Sequence, residues 1–290
     1  MDMKNILIPT DFSQASEYAL QFCTQIDPHK KSIIHLFHVV EIDMNLTEME
    51  LDVEAIDINY DINSIEREIH DSVKKASLLL KEQESILEHK GFNVQTHIIS
   101  GDPVGEILSF IEQFNINLVI MGSHGSRGIN EVFIGSNAQK INRLSPVPVF
   151  TLKNEPQKGK FENFVFCSDF EEPESIENLN RMAKIIQFYD AQCKLLYINT
   201  PNRFQSSLHI IERIEAITSK SNIKDYEIEI FNADWIEQGI LEYAEHYQPD
   251  AIAIGMHSYS SLKKLFRNNI TETVINHSST PILSLRLDPK

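Results

Sequence analysis

The chain has 290 residues, enough for one large domain or two of common size, and its hydrophobic share of 42% is ordinary for a globular protein. Its 42 acidic against 26 basic residues give a net charge of −16, which repels nucleic-acid phosphates and argues against nonspecific DNA or RNA binding. The three cysteines, Cys23, Cys167 and Cys193, are odd in number and widely separated, so neither a disulfide framework nor a zinc site is suggested. With no charged-then-apolar leader and no long uncharged apolar run, a reducing cytoplasm is expected rather than secretion or a membrane.

In chain order, Ile6-Leu7-Ile8 reads as a buried strand ending at Pro9, and Ser13 or Ser16 can open a helix through Ala19, Leu20, Phe22 and Cys23. Ser32 to Val40 is a second strand. His35 and His38 stand an odd number of positions apart on it, so they face opposite sides and are expected to be packing or hydrogen-bonded histidines rather than a metal pair. Residues 41 to 63 are acidic with scattered apolar positions, longer than an ordinary connection. They are expected to form a solvated insertion, with a lid or a partner surface as the alternative, and Asp52, Glu54 and Asp57 lack the order of a calcium loop. A helix pattern from about Ser64 to His89 precedes a third strand, Phe92 to Ile99. The loop Gly101-Asp102-Pro103 then leads into a helix over Val104 to Phe114.

The next strand, Asn117 to Met121, is short, β-branched and uncharged, as a strand buried on both faces of a parallel sheet should be. It runs into Gly122-Ser123-His124-Gly125 and, nine residues on, Gly135-Ser136-Asn137-Ala138. Ser136 reads as the N-cap of a helix whose apolar face is Ala138, Ile141 and Leu144. The start of a helix leaves N–H groups unpaired at the positive end of the dipole, which favours an anion such as phosphate. Gly122 and Gly125 are expected to bring the backbone close and to take positive φ, and Gly135 to keep a Cβ away from the Ser136 N–H.

The pattern G-x2-G-x9-G-S resembles the nucleotide-binding signature of the universal stress protein family. Lys4 to Ser13 is similar to that family's first strand with Asp11 at its tip, and Ser145-Pro146-Val147-Pro148-Val149 to its last. No Walker lysine follows the glycines and no G-x-G-x-x-G occurs. The resemblance implies an adenine nucleotide, ATP or a relative, held by Pro9, Thr10, Asp11, Val39, Met121, Gly122, His124, Gly125, Gly135, Ser136 and Asn137. It puts Val39 beside the adenine and Asp11 at the ribose or at a phosphate-bound Mg2+.

Beyond Asn154 to Lys160, a polar, turn-rich candidate linker, the pattern begins again: Phe164 to Phe170 repeats Leu7 to Phe12 in outline, with Asp169 answering Asp11. Gly101 to Leu152 aligns without a gap on Asp234 to Leu285 at a constant offset, 255 − 122 = 133 for the glycines that end each strand. Two domains of one kind, 1–153 and 161–290, are therefore expected, each an α/β, doubly wound parallel sheet of Rossmann-like type. The family's mode of pairing implies that Val147 to Leu152 and Pro281 to Leu287 join antiparallel in a pseudo-twofold pair. Further dimerisation is left open.

In the second copy Ser258 stands for Gly125, Asn268 for Gly135 and Asn269 for Ser136, so its nucleotide site is expected to be degenerate, with Asp169 and Gly255 kept for turn geometry. A nucleotide-binding regulatory module is the leading expectation. A slow ATP hydrolase or adenylating enzyme, and a scaffold with vestigial sites, are the alternatives. Neither an S-G-G-x-D-S loop nor an H-x-G-H motif occurs, and His124 is expected to order its loop rather than act as a base.

Overall fold

The computed structural model describes residues 4–27, 29–41, 58–123, 135–156, 161–171, 174–256 and 265–286, the side chains of 58–65, 174, 256, 265–269 and 286 excepted. The acidic stretch up to residue 57 thus lies outside the described residues, apart from Glu41. The first half runs β1 (Asn5–Pro9), α1 (Gln14–Ile26), β2 (Ile33–Glu41), α2 (Ile58–His89), β3 (Asn93–Gly101), α3 (Pro103–Gln113), β4 (Leu118–Gly122), α4 (Ser136–Leu144) and β5 (Val149–Leu152). The second runs β6 (Asn163–Cys167), α5 (Glu174–Tyr189), β7 (Gln192–Asn199), α6 (Ser207–Thr218), β8 (Tyr226–Asn232), α7 (Ile236–Tyr247), β9 (Ala251–Met256), α8 (Leu265–His277) and β10 (Ile282–Arg286). The α2 helix begins six residues before the Ser64 read from periodicity, and a short 3-10 turn, Pro201–Arg203, follows β7.

The ten strands of the described residues lie in one sheet of order β3-β2-β1-β4-β5-β10-β9-β6-β7-β8. Pairing is parallel within each half and antiparallel only between β5 and β10. Phe150 faces Leu283 there, while Val149 faces Ser284 and Thr151 faces Ile282. Phe150 and Leu283 are themselves equivalents in the repeat, so a pseudo-twofold axis passes through that pair. The antiparallel pairing expected of the last strands is present, and it gives each half's inner edge a partner.

Equivalence extends to single bonds. Asn117 Oδ1 accepts from Lys4 and Asn5 N–H at 2.9 and 3.1 Å, and Asp250 Oδ2 does the same for Glu162 and Asn163 at 2.9 and 2.7 Å. Asn115 and Gln248 both take left-handed φ, 50° and 45°, where α3 and α7 end. One face of the sheet carries a core continuous across both halves, with Phe22, Phe150, Phe161 and Phe164 edge to face. The other face has two separate cores. On that face the seam is polar: buried Asn142 donates through Nδ2 to Thr151 Oγ1 at 2.8 Å and accepts from Ser284 Oγ at 2.6 Å. Its repeat equivalent is Ile275, so this network exists on one side of the axis only. A satisfied buried amide fixes register across the seam, which apolar packing alone does weakly.

Candidate functional site

Within each half the strand order reverses beside the first strand, between β1 and β4 and between β6 and β9. In open α/β sheets that is where a crevice forms at the carboxyl ends. The strand-tip turn of the first half is made by its own side chains. Thr10 Oγ1 accepts from Phe12 N–H at 3.1 Å, Asp11 Oδ1 accepts from Ser13 N–H at 3.1 Å, and Ser13 Oγ caps α1 by accepting from Ser16 N–H at 3.4 Å. These bonds hold Phe12 at φ 62°, a conformation few non-glycine residues adopt. His38 Nδ1–H braces the turn by donating to Thr10 O at 2.8 Å, and its ring packs on Phe12 at 4.6 Å. The fixed position of Asp11 is therefore the product of five neighbours, of which the sequence points to Thr10, Ser13, Ser16 and, as a packing or hydrogen-bonded histidine, His38, but not to Phe12 held left-handed.

Facing this turn, β4 ends at Gly122. Gly122 is not at positive φ, contrary to expectation. It is glycine because an added Cβ would stand 2.6 Å from the carbonyl carbon of Ala15, where the end of β4 meets the start of α1. Ser123 N–H then donates to Leu152 O at 2.7 Å and Ser123 O accepts from Gly135 N–H at 2.6 Å, which closes the base of the loop. The N-cap of α4 is Gly135, at φ −60° and ψ 146°, and not Ser136 as expected. Ser136 is the first helical residue, and among the described residues no side chain caps that end. The first-turn N–H groups of Ser136, Asn137 and Ala138 precede any intrahelical acceptor, so the donor end of α4 opens at the crevice.

The other expected residues divide by exposure. Asp11, Gly122 and Asn137 are half-buried and Ser136 is exposed, so all four can meet a ligand. Thr10 and Met121 are 4% and 6% exposed, the one engaged in the turn and the other packed in the core, which leaves them their backbone. Pro9 and Val39 are half-buried at the ends of β1 and β2. His124 and Gly125 lie outside the described residues.

The second half repeats the turn. Ser168 Oγ accepts from Phe170 N–H at 3.1 Å, Asp169 Oδ1 accepts from Glu171 N–H at 3.3 Å, and Phe170 sits at φ 53°. Asp169 thus has the geometric role expected for it, but Gly255 does not face a helix backbone: its added Cβ would meet the Asn178 amide nitrogen at 2.4 Å. Burial, and next the charge of Asp169, push the Cys167 thiol up to about 12, so it is no nucleophile near neutral pH. Among the described residues, no cluster of three or more His, Cys, Asp or Glu side chains is arranged to hold a metal ion.

One more pair escaped sequence reading. His35 Nδ1 and His97 Nε2 are 3.2 Å apart beneath α3, against Phe110 and Phe114, and His35 Nε2 is buried without a hydrogen-bond partner among the described residues. Burial, and next the nearby His97, lower the His35 pKa to about 4.

Two strand-order reversals, each with a carboxylate-bearing turn at the tip of its first strand and a glycine in the last two residues of the neighbouring strand, define a tandem pair of Rossmann-like modules. A sequence profile of the universal stress protein family matches residues 3–153 and again 160–286, and the chain belongs to that family. Universal stress protein MJ0577 of Methanocaldococcus jannaschii is 29% identical over 156 residues, 52% of this chain and 96% of that protein. Universal stress protein YxiE of Bacillus subtilis is 32% identical over 87 residues, 30% of this chain and 59% of its own. Among solved structures, a universal stress protein from Archaeoglobus fulgidus superposes with a TM-score of 0.72 at 19% identity over 99% of both chains, a likeness of fold. No helix among the described residues is long and apolar enough to cross a membrane.

Proposed function

We propose that the first half, residues 1–153, binds an adenine nucleotide, ATP or a relative, in the crevice between β1 and β4, and that the protein is a nucleotide-responsive regulator of the stress-response type. The observation that carries this is the donor end of α4, uncapped by any described side chain, following β4 at the strand-order reversal where β4 lies beside β1, the strand that leads into Asp11. The residues fit the ligand. Backbone N–H groups of Ser136 and Asn137 and the Ser136 hydroxyl would hold phosphate, the end of β2 at Val39 would border the base, and Asp11 would meet ribose or a phosphate-bound Mg2+. In a chain of net charge −16, such local donors, with or without the cation, are what offset long-range repulsion of a nucleotide. The adenine preference comes from the family resemblance, and the phosphate preference from the helix end.

The second half, residues 161–290, is proposed not to bind nucleotide, because Asn268 and Asn269 stand where Gly135 and Ser136 do. Small molecules released from the denatured protein, identified by mass spectrometry, test the proposal. An adenine nucleotide at up to one per chain is expected; no adenine nucleotide in the released material, together with no saturable ATP binding by the full chain, would overturn it, whatever phosphate-free molecule is also released.

A further inference from the structure

The second crevice is not an empty copy of the first. It encloses about 110 Å³ at the carboxyl ends of β6 and β9. On α1, Ala19 stands three residues after Ser16, whereas α5 has Asn178 three residues after Ser175, the serine that meets Ser168 as Ser16 meets Thr10. Asn178 lines the crevice and is 2% exposed, and its Oδ1 has no hydrogen-bond partner among the described residues. A buried acceptor left unpaired is unfavourable, and a ligand N–H or O–H placed there would relieve it.

The walls are apolar at several positions, one of them newly so. By the repeat offset Pro103 becomes Ile236, Met121 becomes Ile254 and Asn137 becomes Ile270, all three lining the second crevice together with Ile198 and Ile240. Asp102, which caps α3 by accepting from Gly105 N–H at 2.7 Å, becomes Trp235, 59% exposed and making no side-chain cap. Of the charged residues lining the crevice, Asp169 and Glu171 are negative and Arg203 is positive, a balance that does not select an anion.

We propose that this crevice is a separate binding site for a small, uncharged, largely apolar molecule without phosphate, bearing one N–H or O–H donor for Asn178 Oδ1. The proposal does not depend on nucleotide binding in the first half. Indole, neutral and bicyclic with a single N–H, is a suitable probe, and benzofuran is its near-isostere without the donor. Ligand-observed NMR titrations of the full chain should give one indole site with a Kd on the order of 1 mM or tighter, and benzofuran about fivefold weaker. Ile270→Trp, which fills the crevice from its wall, should abolish both. Asn178→Leu should erase the difference between the probes. Saturating ATP should displace neither. The proposal is overturned by absence of saturable indole binding, by equal affinity for the two probes, by indole binding unchanged in Ile270→Trp, or by displacement with ATP.

Discussion

The two crevices of this chain share a frame and differ in what they offer a ligand. Both are flanked by an Asx-type turn that holds a phenylalanine left-handed, and both face a glycine at the end of the adjacent strand. In the first, that glycine admits a helix backbone, and the start of α4 has no capping side chain among the described residues. In the second it admits a side-chain amide, and isoleucines line the walls. Duplication thus kept the residues that shape the turn and released those that would contact a ligand. Retention of Asp169 or Gly255 is consequently no evidence of a second nucleotide.

The largest expected difference comes from the paired glycines. Gly122→Ala drives a Cβ into the Ala15 backbone and should cost about 2–3 kcal/mol, read as a lowered urea midpoint at unchanged slope. Gly255→Ala meets only the end of the Asn178 side chain, which can turn, and should cost about 1 kcal/mol or less. Equal losses would show that the two glycines serve one purpose after all.

Acid should separate the halves next. The His35–His97 pair of the first half is answered in the second by Lys194 and Glu229, 2.7 Å apart, with Tyr243 in the place of Phe110 and donating to Glu229 at 2.9 Å. His35 has a folded pKa of about 4, below its ordinary value near 6.5, so the unfolded chain takes up the proton first. Its contribution is fully present above about pH 6.5 and is lost as pH falls toward 4, a decline on the order of 1–3 kcal/mol. His35→Leu should flatten the stability profile across that window, and an unchanged slope would mean that the pair is not what titrates.

Much of this arrangement was legible in the sequence because it follows from spacing. The offset between Gly122 and Gly255, the apolar runs and the strand–helix alternation specify two doubly wound modules, and the apolar, β-branched last strands suit pairing with each other. What was not legible depends on atoms from distant segments. The Asn142–Thr151–Ser284 network needs the seam register, and the His35–His97 contact needs β2 and β3 side by side. The sequence marks Gly122 as conformationally special, whereas the cause is an approaching helix. Ser136 was read as the cap because serine favours that position, but the closing bond from Gly135 N–H to Ser123 O sets the boundary one residue earlier. Asn178 has no signal in the sequence, since a lone asparagine in a helix carries no pattern.

A smaller effect sharpens the comparison at the carboxylates. Asp11→Asn keeps an oxygen for the Ser13 N–H and removes the charge, so the turn should survive while affinity for magnesium-ATP falls about tenfold, near 1.4 kcal/mol. Asp169→Asn should leave that affinity unchanged. Turnover of ATP should stay far below the roughly 10 per second of ordinary enzymes in either variant and in the parent chain.

The most direct measurement is a calorimetric titration of the full chain with ATP and magnesium. One site per chain is expected, weakened tenfold or more by Gly135→Asn, since the φ of −60° lets asparagine fit the backbone and leaves the effect to its side chain at the opening of α4. Two equivalent sites per chain, or an affinity unchanged in Gly135→Asn, would contradict an asymmetric protein with its nucleotide in the first half.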